Sequence, residues 1–224
     1  MADSLDYLCA WVMGEKDSFE NLIDLGEKSG KEQGFNICQT LDGNLVFGTR
    51  CEGGECSVAL HKSCGDSIDI VGTYHTHPSL QDDPKLYSNF SGQDLLLSLV
   101  QDRRIICLGY ELEKQRHVNC LKIKDTKIPE KDSQVFEILK DISYSNTAIK
   151  SIRERGNNLE IAWAKIKNLP DDQLKRNADI LYTISESLKR VDETYQKELK
   201  LNISFRDKLL ELLYKKGYIE ACNG

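Results

Sequence analysis

The hydrophobic period of the chain changes once, near Ile128-Pro129, and that change constrains what each half can fold into. Beyond it, Val135, Ile142 and Ile149 recur seven residues apart, accompanied by Ile138 and Ile152. Leu174, Leu181, Leu188 and Tyr195 repeat at the same spacing, and Ile184, Val191 and Leu199 widen their stripe. Apolar residues so spaced line one face of a helix. Residues 129–224 are therefore expected to form an all-helical module. Its helices should break at Gly156-Asn157-Asn158, restart at Pro170, and end in a separate amphipathic segment over 205–214. Such faces need a partner surface, either an intramolecular bundle or a coiled-coil homodimer.

Residues 1–128 read as α/β, a sheet flanked by helices and a complete small domain. Helical patterns at 5–13 and 18–27 come first, the second ended by Ser29-Gly30. Strand-like segments follow at 35–40, 44–50 and 57–61, the first two joined through Asp42-Gly43, a hairpin signal. A strand over 68–75, a loop over 78–90, a helix from Ser91 and strands at 104–110 and 117–122 complete the half. With 40% hydrophobic and 29% charged residues the chain can bury a core, so disorder is not indicated. A net charge of −6 argues against a general grip on nucleic-acid phosphates. No apolar run approaches the ~20 residues that span a bilayer, and the N-terminus lacks the basic flank of a signal peptide. A cytoplasmic location is expected. The eight cysteines are then expected as thiols, since a chain of this size needs no disulfide staples. Cys51, Cys56 and Cys64 cluster around His61 without the paired spacing of a structural zinc site, and a Cys51–Cys56 disulfide is the alternative.

The stretch that carries chemistry is His75-Thr76-His77-Pro78, followed by Ser91-Gly92-Gln93-Asp94. Alternate side chains of a strand share a face, so His75 and His77 project together while Thr76 turns away. Pro78 cannot donate to a ladder and ends the strand there. Asp94, in the first turn of the next helix, can add a carboxylate to the two imidazoles. Such a set leaves one position of a tetrahedral zinc open, as catalytic sites do. Each piece also has an ordinary explanation: two unrelated histidines on a half-exposed face, and a Ser-x-x-Asp helix cap. Two histidines and a carboxylate also serve non-haem iron. A Cys64–His61 nucleophile pair lacks an orienting third group.

The combination resembles the JAMM (Jab1/MPN/Mov34) motif of zinc metalloproteases: an upstream Glu, here Glu32, then His-Ser/Thr-His-Pro, a spacer, and Ser-x-x-Asp. The resemblance covers residues 15 to 125 and is nearer to stand-alone prokaryotic and archaeal members than to subunits of large complexes. It implies an MPN-like fold over 1–128. It implies His75, His77 and Asp94 as ligands of a single zinc ion, Glu32 as general base, and Ser91 as donor to the oxyanion. The implied reaction is hydrolysis of an amide bond after the tail of a ubiquitin-like modifier. Processing of a sulfur-carrier protein, or a metal-free scaffold role, are the alternatives. Two features depart from the pattern. The spacer from Pro78 to Ser91 is long and carries a competing Ser88, and one residue fewer separates Glu32 from Gly34. Glu20, Glu27, Glu52 and Glu55 are the other candidates for the base.

Overall fold

The computed structural model describes residues 5–53, 64, 69–79, 87–125 and 127–222. The strand expected at 57–61, together with Glu55, Cys56, His61 and most of the loop before Ser91, lies outside them. Two helices open the chain, α1 (Leu5–Gly14) and α2 (Lys16–Ser29). Gly30, at φ 68°, ends α2 in a left-handed cap whose N–H reaches the Gly26 carbonyl. The strands are β1 (Gln33–Gln39), β2 (Leu45–Phe47), β3 (Cys51–Glu52), β4 (Asp69–His77), β5 (Ile105–Leu112), β6 (Gln115–Ile123) and β7 (Ile219–Ala221). They form one mixed sheet in the order β2-β1-β4-β5-β6-β7, with β3 beside β1. Among the described residues only β4 and β5 run parallel, and α3 (Gly92–Val100) lies between them in sequence.

β4 is central and buried on both faces from Val71 to His77. On one face Tyr74 stacks on Phe19 (4.4 Å) and Phe35 (5.2 Å), beneath α1 and α2. The other face carries His75 and His77. Its core joins Ile106, Leu108 and Leu121 to Leu95 and Leu99 of α3. The same core takes in Ile128 of the short α4 (Ile128–Lys131), Val135, Leu139 and Ile142 of α5 (Ser133–Lys167), Leu209 and Leu213 of α7 (Ala178–Lys215), and Ile219. A short α6 (Asp171–Arg176) precedes α7. α5 and α7 pair antiparallel: Arg153 donates to the Tyr195 hydroxyl, and Gly156 lies against Val191. Among residues 146–201 no side chain is buried, so the outer part of this hairpin stands clear of the core.

Several expectations are corrected. The C-terminal half is helical but not wholly so. Gly217, at φ 70°, reverses the chain after α7 and lets Ile219 pair with Ile123 at the sheet edge. Gly156 does not break α5, because packing on Val191 carries the helix through a residue that costs only about 1 kcal/mol relative to alanine. The segment 205–214 is the end of α7 rather than a separate helix. Six cysteines are not thiols: disulfides join Cys9–Cys222, Cys38–Cys64 and Cys107–Cys120. Sheet register explains the last pair, since Cys107 lies directly opposite Cys120. Cys64 therefore bonds to β1 rather than joining Cys51, whose thiol lies against the Gly34 carbonyl. Among the described residues no helix is long and apolar enough to cross a membrane.

The shared core makes a direct test of how far the two halves depend on each other. Truncation after Asp125 removes Ile128, Val135, Leu139, Ile142, Leu209, Leu213 and Ile219 from it. At about 1.5–3 kcal/mol for each buried side chain, their sum rivals the ~5–15 kcal/mol net stability of a domain. The truncated chain is expected to show no cooperative thermal transition by circular dichroism. A sharp transition would mean that residues 1–125 fold alone.

Candidate metal centre

His75 and His77 are two residues apart on β4 and so share a face. Ladders on both sides hold them: Gly34 of β1 and Leu108 of β5 lie opposite His75, and Tyr110 of β5 lies opposite His77. Their Nε2 atoms are 3.2 Å apart. Asp94 comes from the start of α3, where Ser91 is the N-cap of a capping box. The Asp94 N–H donates to Ser91 Oγ (3.2 Å), and the Ser91 N–H donates to Asp94 Oδ2 (2.6 Å). This turn places Asp94 Oδ1 3.3 Å from His75 Nε2 and Asp94 Oδ2 3.6 Å from His77 Nε2.

These distances fit a shared cation. Tetrahedral bonds of ~2.0–2.1 Å set neighbouring ligand atoms about 3.3 Å apart. His75, His77 and Asp94 are the one group of three such ligands among the described residues that could hold a metal ion. His77 Nδ1 lies 3.2 Å from the Tyr87 carbonyl, which can only accept, so that nitrogen carries the proton and Nε2 keeps its lone pair for the centre. Burial and the neighbouring His75 push the His77 pKa down to about 4, so its ring is neutral at pH 7. Burial also disfavours a charged His75, but the hydrogen-bonded Asp94 carboxylate and Glu32 outweigh it and hold the pKa above the usual histidine value. Burial opposes the Asp94 carboxylate as well, yet His75, His77 and Ser91 keep it below the usual carboxylate range. A proton on His75 competes with a cation, so binding weakens as pH falls.

Glu32 immediately precedes β1, is buried, and brings Oε1 to 4.0 Å from His77 Nε2. Thr76 sets this approach. Its side chain points away from the histidines and accepts the Gln33 N–H at Oγ1 (2.9 Å). It also packs on Gly26, where an added Cβ would come within 2.8 Å of Oγ1. The Glu32 carbonyl accepts the Gly53 N–H (3.0 Å), fixing the same residue from the other side. The remaining described acids named from the sequence are committed elsewhere. Glu27 accepts the Ser79 N–H and hydroxyl, Glu20 pairs with Lys16 and Arg116, and Glu52 pairs with Lys31 and Gln33. Ser88 is half-buried and accepts from Asn89, whereas Ser91 caps the helix that bears Asp94.

Three supporting roles were not assigned from the sequence, although Thr76 and Glu27 were named there. Strand alternation turned Thr76 away from the histidines but did not show that it accepts the Gln33 N–H. The Glu27–Ser79 clamp and the Tyr87 carbonyl have no local sequence signal, because each depends on a contact across the fold. No model of a known protein family matches this chain, and no curated protein matches it.

Thr76 can be tested apart from any activity. Thr76→Val keeps the shape but strands the Gln33 N–H, a loss of about 1–3 kcal/mol for a buried unsatisfied donor. Thr76→Ser keeps the acceptor and should recover most of that loss in urea unfolding. Equal stability of the valine and serine variants would show that the hydroxyl does not anchor Gln33.

Proposed function

We propose that this chain is a zinc-dependent hydrolase of the JAMM type, with an MPN-like catalytic fold. It cleaves the amide bond that follows the extended tail of a ubiquitin-like modifier. The observation that carries this proposal is the placement of Glu32. A buried carboxylate stands beside the same His77 nitrogen that faces the two other candidate ligands. A purely structural metal site has no use for an additional acid at that position, whereas hydrolysis needs a base there.

In the bound state His75, His77 and Asp94 would hold the ion, leaving room for water. Zinc, when bound, supplies Lewis acidity, which polarises a carbonyl and makes water easier to deprotonate. Glu32 takes a proton from the attacking water at its carboxylate and returns it to the departing amine nitrogen. The water oxygen thus joins the carbonyl carbon as the C–N bond breaks, and the proton count balances. Ser91 has a second task besides capping: its Oγ–H donates to the substrate oxygen as negative charge develops there. Its acceptor lone pair already serves the Asp94 N–H, so the two roles use different parts of one hydroxyl. The modifier tail lies extended, and backbone pairing along a strand edge is the natural means of holding it.

Cleavage of a panel of ubiquitin-like and sulfur-carrier fusions tests this function. Glu32→Gln should keep zinc and lose about 10²–10⁴ in turnover. Ser91→Ala should keep zinc and lose about 10²–10³ in kcat with KM little changed. Normal turnover by Glu32→Gln would contradict the assigned base. Loss of zinc from Ser91→Ala would leave Ser91 only as the cap that positions Asp94.

A further inference from the structure

We propose that Asn146 and Asn202, one on each long helix, are positioning residues for Asp94, acting through the first turn of α3. The proposal rests on the metal-site reading above. It assigns the helical half a part in that site without giving it a ligand.

Asp94 is placed by the single turn Ser91–Asp94. The two residues inside that turn, Gly92 and Gln93, both meet the long helices. A Cβ on Gly92 would come within 2.9 Å of Ile142 Cγ2 and 3.2 Å of Asn202 Oδ1, so α5 and α7 both close on its backbone. Gln93 Oε1 accepts from Asn146 Nδ2 (2.6 Å), and Asn146 Oδ1 accepts from Asn202 Nδ2 (2.9 Å). A continuous chain of side-chain amides therefore runs from α7 through α5 to the residue beside Asp94.

The sequence pattern sharpens the point. Leu174, Leu181, Leu188 and Tyr195 extend at the same seven-residue step to position 202 and then to Leu209. An apolar side chain is expected at 202, yet an asparagine stands there and is 8% exposed. On α5 the step from Ile138 to Ile152 passes through Ser145, also buried. Both stripes thus turn polar at the level where the helices meet α3. A buried amide costs free energy unless hydrogen-bonded. An asparagine serving only helix register would pair within the helix pair, at some cost in stability. Here the chain of bonds continues out of the pair to Gln93.

A register role and a positioning role make different forecasts for exchange and zinc affinity in Asn202→Leu, a swap that keeps the branched shape and the number of heavy atoms. Restoring the apolar stripe should leave thermal stability unchanged or higher. The released Gln93 should let the first turn of α3 open, so amides 93–97 of the metal-free chain exchange about tenfold faster. Zinc affinity, read by titration with the metal alone, should fall by about tenfold, as when outer partners of ligands are removed. Asn146→Leu breaks the same chain from the other helix and should give the same exchange and affinity changes. Arg153→Leu, which removes the contact to Tyr195 farther along the same helix pair, should change neither. Unchanged exchange at 93–97 in both asparagine variants overturns the proposal, as does equal acceleration in Arg153→Leu. Zinc bound equally by all variants overturns the positioning role alone. Absence of zinc binding by the unaltered chain overturns the metal reading, and with it the purpose given to the amide chain.

Discussion

Two imidazoles and a carboxylate meet with 3.2–3.6 Å between their facing atoms at the buried end of β4, and most of the molecule is arranged around that meeting. Groups of this polarity are costly in a protein interior unless they are paired. A neutral His77 and an anionic Asp94 cannot satisfy every lone pair among themselves, whereas a shared cation would engage all three ligands. Each neighbour then has a definite task. Tyr87 selects the His77 tautomer, Ser91 caps the helix that delivers Asp94, and Thr76 anchors the backbone next to Glu32. These contacts come from three separate stretches of chain. The sheet is therefore less a platform for the site than the means of bringing those stretches into register.

The helical half belongs to the same construction at its base and departs from it farther out. Val135, Leu139 and Ile142, with Leu209 and Leu213, complete the core on the histidine-bearing face. The outer hairpin, from 146 to 201, buries nothing completely, because a pair of helices can cover only one side of each apolar stripe. The long helices thus have a rigid root beside the site and an open end away from it. Contacts that tie the root to α3 bear on the site, and contacts between the outer turns bear only on the hairpin.

What was legible in the sequence was local. The two-residue period of His75 and His77, the Ser91–Asp94 cap and the seven-residue stripes each follow from neighbours along one element, and each element forms. The turn through Asp42-Gly43 was legible for the same reason, with Gly43 at φ 82°. The tight turn at Glu113-Lys114 was not, because residues at φ 51° and 64° there lack the glycine or asparagine that usually marks such a turn. β7 escaped notice because a three-residue strand acquires meaning only from the edge it meets. The cysteine pairs escaped for a related reason: Cys9 and Cys222 are 213 residues apart, and only the closed fold makes them neighbours. Glu32 lay between these cases: the motif named it ahead of the other acids, and the Thr76–Gln33 contact anchors the backbone that sets it beside His77.

X-ray absorption at the zinc edge of the purified chain tests the proposed zinc ion at the end of β4. About one zinc per chain is expected, with only nitrogen and oxygen neighbours at ~2.0–2.2 Å and imidazole scattering from two rings, all lost in His77→Ala. Sulfur neighbours at ~2.3 Å, or a signal unchanged in His77→Ala, would place the metal among the cysteines and contradict it.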